Sequence, residues 1–115
     1  MKSSEFVSAL ELYVLDTAVE DTMSTLRAPP GRRVDEGAAH RSRWFNSLST
    51  DDADLVRQVA HDSAHAAVFG LLAVLDGVRV IDDEKGVFEL YYTGSKRSLL
   101  NPPDVDLHDL LKRGA

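Results

Sequence analysis

Two histidines one helical turn apart form the local arrangement in this sequence that is best suited to chemistry. His61 and His65 belong to the run His-Asp-Ser-Ala-His, and residues four apart project from the same side of an α-helix. Two imidazoles at that spacing can bind one divalent ion. The run lacks the glutamate of the His-Glu-x-x-His motif, so the sequence contains no metalloprotease signature.

A complete metal site needs ligands beyond this pair. Asp54 precedes the histidines on nearly the same side of the helix, and His108 belongs to a second histidine–acid pair near the end of the chain. His61, His65, Asp54 and His108 therefore make up a hypothetical divalent-metal site, and its function would be metal-dependent hydrolysis. The alternative is that His61 and His65 face solvent and interact with nearby aspartates. We expect no cofactor unless the hydrolase alternative holds.

The histidines are positioned by a long helix, predicted from Asp51 to Leu75. Ser49 or Thr50 is suited to cap its first turn, and Gly77 is suited to end it. On a helical wheel, one face is predicted to be the core face, and its members are Val56, Val59, Ala60, Ser63, Ala67, Gly70, Leu71 and Val74.

The opposite face of this helix carries the histidines in its first half and apolar residues in its second half. We expect another element of the protein or a partner to cover Val68, Leu72 and Leu75. If they were exposed, they would form an apolar patch of the kind that marks an interface. The cover is either the strands or the first helix, or else a second copy of the chain. Val68, Leu72 and Leu75 are thus the predicted interaction surface, and a homodimer or another protein partner would occupy it.

The remaining pattern predicts one α+β domain over residues 1–115. A first helix of about twenty residues starts near Ser3 and ends before Ala28-Pro29-Pro30-Gly31. The fold class that we predict has two main helices packed on a three-stranded antiparallel meander, with a short C-terminal helix. The predicted strands are Val78–Ile81, Val87–Thr93 and Ser98–Asn101.

Residues 28–43 are predicted to be a flexible loop that carries positive charge. Five arginines between Arg27 and Arg43 face only two acidic residues, for a local net charge of +3 on a chain of net charge −6. Guanidinium groups bind phosphate or an acidic partner. The alternative is a solvated loop without a ligand. The residues in question are Arg32, Arg33, Arg41 and Arg43.

Composition excludes several classes of function. The sequence has no cysteine, so it has no disulfide framework, thiolate zinc site or thiol nucleophile. The longest uncharged run, Ser63–Leu75, is shorter than the roughly 20 residues that span a bilayer. The acidic net charge of −6 disfavours nucleic acid as a partner. We therefore expect a soluble, cytoplasmic protein.

The second half of the chain resembles a group of small, uncharacterised bacterial proteins. The resemblance lies in Trp44-Phe-Asn-Ser-Leu-Ser, Phe69-Gly-Leu-Leu-Ala-Val-Leu-Asp-Gly-Val78, Leu99-Leu-Asn and Leu107-His-Asp-Leu110. It implies no activity, but it implies that the Asp76-Gly77 junction and the last helix lie together, with His108 or Asp109 capping or pairing there.

Function is predicted to be binding, through self-association or a protein partner, with an immunity-like role as one form and the His61/His65 hydrolase as the alternative. We favour the non-enzymatic role.

Overall fold

The first part of the fold is one continuous helical rod with a π-helical turn inside it. The computed structural model describes residues 1–112. Helix α1 (Ser3–Leu10) leads into a π-helical turn (Glu11–Leu15), and α2 (Asp16–Arg27) follows without a break. The rod ends where Ala28 becomes extended in front of Pro29, because proline disfavours helical geometry in the residue before it.

The predicted loop over residues 28–43 is wrong in its second part, where helix α3 (Glu36–Asn46) forms. Asp35 caps this helix by accepting a hydrogen bond from the Ala38 amide at 3.1 Å. Buried Ser42 donates to the Arg27 carbonyl at 3.3 Å, and Asn46 donates to the same oxygen at 3.0 Å. The helix escaped prediction because it buries few residues and has no extended apolar stripe. The loop is confined to residues 28–35.

The long central helix has the predicted boundaries to within one residue. Helix α4 (Thr50–Leu75) contains 26 residues, and the Ser49 hydroxyl caps it by accepting from the Asp52 amide at 3.1 Å. Gly77 follows with a φ of +77°, a conformation that glycine adopts without steric cost. The helix is about 39 Å long at 1.5 Å per residue, so it can present two long, separate faces.

Within residues 1–112 the sheet has two strands, so the three-stranded meander is not confirmed. Strand β1 (Tyr91–Thr93) pairs antiparallel with β2 (Arg97–Leu99). The Asn101 side chain takes up backbone groups beside the sheet: its amide donates to the Leu75 and Phe88 carbonyls, and its oxygen accepts from the Leu90 amide. The predicted strand over Val78–Ile81 does not form within residues 1–112.

The core lies between helices, and the sheet is peripheral to it. A short last helix, α5 (Leu107–Leu110), packs on α1 and α4. The fold is therefore α+β, but the packing of two main helices on a sheet face is not confirmed. Within residues 1–112, no helix is long and apolar enough to cross a membrane. The buried apolar cluster consists of Val7, Leu15, Val19, Met23, Phe45, Leu72, Leu107 and Leu111.

Candidate functional site

The face of α4 that was expected to need a cover is covered within the chain. Leu72 is fully buried in the core cluster, and Val68 and Leu75 pack against that cluster. The covering elements are α5, the π-helical turn and α2. The first helix was one of the covers considered from sequence, while α5 was not. Of the predicted interaction residues, Leu72 therefore lies inside the intramolecular core, and Val68 and Leu75 lie half-buried against it.

The face of α4 that was assigned to the core from sequence is exposed along only part of its width. On that face, Val56, Ala60, Gly70 and Val74 are buried or half-buried. Leu55, Val59 and Leu71 are 55%, 69% and 59% exposed. Ser63 and Ala67 lie between them and are also exposed. These five residues are spaced four apart, so they form one continuous ridge on the helix surface, which we call the α4 ridge. The helical wheel identified two apolar strips, but the strip that was assigned to the core is only partly buried.

The histidines of α4 belong to a row of stacked rings. The ring centroids of His61 and His65 are 6.3 Å apart, and those of His65 and Phe69 are 6.4 Å apart. Phe69 then meets the edge of His108 at 5.4 Å. The Phe69 ring thus lies between the His61/His65 pair and His108. A metal site shared by the three histidines would require their imidazole rings to meet without a ring between them.

His65 uses its ring to hold the end of the chain. Its Nε2 lies 2.9 Å from the Lys112 carbonyl oxygen, and it must be the donor because a carbonyl only accepts. On the other side of the same residue, the Lys112 amide donates to Glu11 in the π-helical turn at 2.8 Å. The His65 ring is therefore a structural link between α4 and the segment after α5.

The metal site predicted from His61, His65, Asp54 and His108 is not assembled in this conformation. Asp54 accepts a hydrogen bond from Gln58 at 2.8 Å, and it shares with His61 a groove of about 600 Å³ between α2 and α4. The buried Nδ1 of His61 has no hydrogen-bond partner among residues 1–112. The carboxylates of this groove and the two histidines do not form a group of three converging ligands in the part of the chain that the structure describes.

His108 instead contacts the carboxylate at the end of α4. Its backbone amide donates to Asp76 Oδ2 at 2.9 Å, and its ring Nδ1 donates to the same oxygen at 2.6 Å. The hydrogen bond to Asp76 raises the pKa of His108 above its ordinary value. The Asp76 side chain is fully buried and that of His108 is 13% exposed. The predicted association of His108 with the Asp76-Gly77 junction is confirmed.

A third ligand-bearing residue completes this contact. Asp106 lies just before α5, and its carboxylate has a ligand atom within 4.8 Å of those of Asp76 and His108. Neither Asp76 nor Asp106 was identified from the sequence as a candidate ligand. Their separation by 29 intervening residues gave no spacing signal, although the Asp-x-His pattern at residues 106–108 placed two ligand types at the start of one helix.

An open cleft adjoins this cluster. Its volume is about 600 Å³, and Asp76 and Asp106 are among the residues of its wall, beside the irregular segment 79–89. Most of the remaining wall is apolar, with Val74, Ile81, Val87 and Phe88 among the lining residues. A small solute in the cleft can therefore approach Asp106, whereas the Asp76 side chain behind it is fully buried.

The four arginines predicted as an anion site lie on two different elements. Arg32 and Arg33 are exposed in the loop, whereas Arg41 and Arg43 lie on α3. Arg43 pairs with Glu36 on the same helix at 3.1 Å, and both side chains are largely exposed. The predicted phosphate or acidic-partner site thus consists of two arginines in an exposed turn and two on a neighbouring helix.

Comparison with protein-family models, with curated proteins and with solved structures produced no match.

Proposed function

We propose that the protein is an interaction module that self-associates through the α4 ridge. The observation that carries the proposal is the exposure of Leu55, Val59 and Leu71 on one row of a helix whose opposite row forms the core. Exposed apolar residues that occur singly need no explanation, but a continuous row of them is typical of an interface. The ridge itself contains no charged residue.

The order of side chains along the ridge suits a second copy of the same chain. Ser63 stands at its centre, with Leu55 and Leu71 equally far from it in opposite directions. An antiparallel pair with two-fold symmetry at Ser63 would place Leu55 of one copy against Leu71 of the other, and Val59 against Ala67. Rows of residues four apart pack into one another at about −50°, and small central residues allow close approach.

Sedimentation over a range of concentrations tests the proposal. We expect the unmodified chain to dimerise and Val59→Asp to shift the equilibrium toward monomer, because the carboxylate would be buried against an apolar surface. Val87→Asp is the matched control, since Val87 is also an exposed valine, at 85%, but lies outside the ridge. An unmodified chain that is monomeric at every concentration contradicts self-association, as does an equal effect of the two variants.

A cysteine experiment tests the orientation. The chain has no native cysteine, so Ser63→Cys introduces a single thiol at the proposed symmetry axis. Mild oxidation should crosslink this variant far faster than Ser24→Cys, whose thiol would lie at an exposed position on α2. Equal crosslinking rates for the two variants would contradict the antiparallel arrangement.

A further inference from the structure

The cluster of Asp76, Asp106 and His108 contains a buried carboxylate that is only half satisfied. Asp76 Oδ2 accepts two hydrogen bonds from His108, whereas Asp76 Oδ1 is buried and has no partner among residues 1–112. A buried oxygen without a partner costs on the order of 1–3 kcal/mol, and more when it carries charge. Something that donates positive charge or a hydrogen bond would remove this cost.

The surrounding charges do not supply that compensation. Within the described residues, the ion pair of Asp76 is with His108 alone, and Asp106 forms no ion pair with a lysine or arginine. Asp109 adds a further carboxylate, 3.4 Å from His108 Nε2. Three carboxylates therefore surround one imidazole at the edge of the cleft. Even a fully protonated His108 leaves the group with net negative charge.

We propose that Asp76, Asp106 and His108 bind a divalent first-row transition-metal ion at this edge of the cleft. Two carboxylates and one imidazole are ligands that zinc and manganese accept, whereas calcium and magnesium favour oxygen ligands alone. The ligand atoms lie within 4.8 Å of one another, and ligands of a tetrahedral zinc ion are about 3.3 Å apart. Small side-chain rotations would bring the ligand atoms from their present separations to those of a tetrahedral zinc site.

The ion takes the position of the proton between His108 and Asp76. His108 Nδ1 and the Asp76 carboxylate become ligands, and their present separation of 2.6 Å widens to admit the ion. His108 Nε2 keeps its proton and faces Asp109 Oδ1 at 3.4 Å, the kind of carboxylate contact that orients metal-bound histidines. Asp106 is the third protein ligand, and water from the cleft completes the coordination.

Asp106 is the residue through which the site can be tested without disturbing the fold. It is exposed, and its side chain does not cap α5. Asp106→Asn should therefore preserve the circular dichroism spectrum and the thermal midpoint while removing a charged ligand. Asp104→Asn is the matched control, because Asp104 is an exposed aspartate two residues earlier and outside the cluster.

Calorimetric titration with zinc chloride and, separately, manganese chloride measures the binding, on chain without a polyhistidine tag. We expect one ion per chain, with binding weakened about tenfold or more by Asp106→Asn and unchanged by Asp104→Asn. The variant His61→Gln, which removes one member of the histidine pair on α4, should bind like the unmodified chain. Absence of binding by the unmodified chain overturns the proposal. Equal affinity in Asp106→Asn, or loss of binding in His61→Gln, also overturns it.

Discussion

The two apolar strips of α4 lie in different environments. The face with Val68, Leu72 and Leu75 is covered by α5 and the first helical rod, whereas the α4 ridge with Val59 and Leu71 is open. The covered face also carries His61 and His65, which the sequence analysis allowed to face solvent. The difference teaches that polar residues on a helix face do not exclude burial when a short segment such as α5 lies over them.

Truncation of neighbouring leucines should separate the two faces most strongly. Leu72→Ala is expected to lower the free energy of unfolding by about 2–5 kcal/mol, since it leaves a cavity in the core. Leu71→Ala should change it by no more than about 0.5 kcal/mol, because that side chain is 59% exposed. Urea unfolding at a low protein concentration measures both. Equal losses would show that the ridge is covered within the chain.

Enlargement of alanines provides a second, smaller contrast. Ala64 packs against the core cluster, so Ala64→Leu should cost about 1–3 kcal/mol of unfolding free energy through overcrowding. Ala67 is exposed on the ridge, so Ala67→Leu should be nearly neutral in the monomer. Thermal unfolding of the two variants makes the comparison. A neutral Ala64→Leu together with a destabilised Ala67→Leu would restore the face assignment predicted from sequence.

Loss of the Asp76 carboxylate, at the end of the covered face, should lower the free energy of unfolding. Asp76→Ala leaves the His108 amide and ring without their acceptor, and we expect a loss of about 1–3 kcal/mol in unfolding free energy. Asp62→Ala is the control, because the Asp62 side chain is 84% exposed. Denaturant unfolding in the presence of a chelator compares them. A loss no larger in Asp76→Ala than in Asp62→Ala would mean that the contact holds no stabilising energy.

The smallest expected effect is the pH dependence of the same contact in metal-free protein. The hydrogen bond to Asp76 raises the pKa of His108 above its ordinary value of 6.5. The stabilisation that the His108–Asp76 contact gives the fold is therefore fully present below the pKa of His108 in the unfolded chain, and it is lost as pH rises through the pKa of His108 in the folded chain. The carboxylates of Asp106 and Asp109 act in the same direction as that of Asp76.

Unfolding measured in a chelator from about pH 6 to about pH 9 makes this visible as a difference between the unmodified chain and His108→Gln. The stability advantage of the unmodified chain should shrink as pH rises across this window. A constant or growing advantage would contradict the assignment of a protonated His108 to the contact.

Prediction from sequence succeeded where the structure depends on local signals within one short segment. The boundaries of α4 follow from Ser49, which caps one end, and from Gly77, which ends the other. Prediction failed for α3, since its residues make few buried contacts, and for the strand expected at Val78–Ile81, which does not form within residues 1–112. Nor did it find the Asn101 side chain, which bonds to three separate backbone positions. Such a role depends on which distant groups arrive at Asn101.

The same division applies to the candidate sites. The His61/His65 pair was visible because helical spacing alone puts both residues on one side. Asp76, Asp106 and His108 come from the ends of two helices, and only the packing of α5 against α4 brings their ligand atoms within 4.8 Å.

Sequence by itself determined the long helix, its caps and its two apolar strips, because these depend on propensity and on a period of 3.6 residues. The tertiary structure alone decided which strip is buried. Leu107 and Leu111 supply part of the cover for Leu72, and they come from a segment more than thirty residues further along the chain. Periodicity describes the faces of one helix, while burial depends on what packs against them.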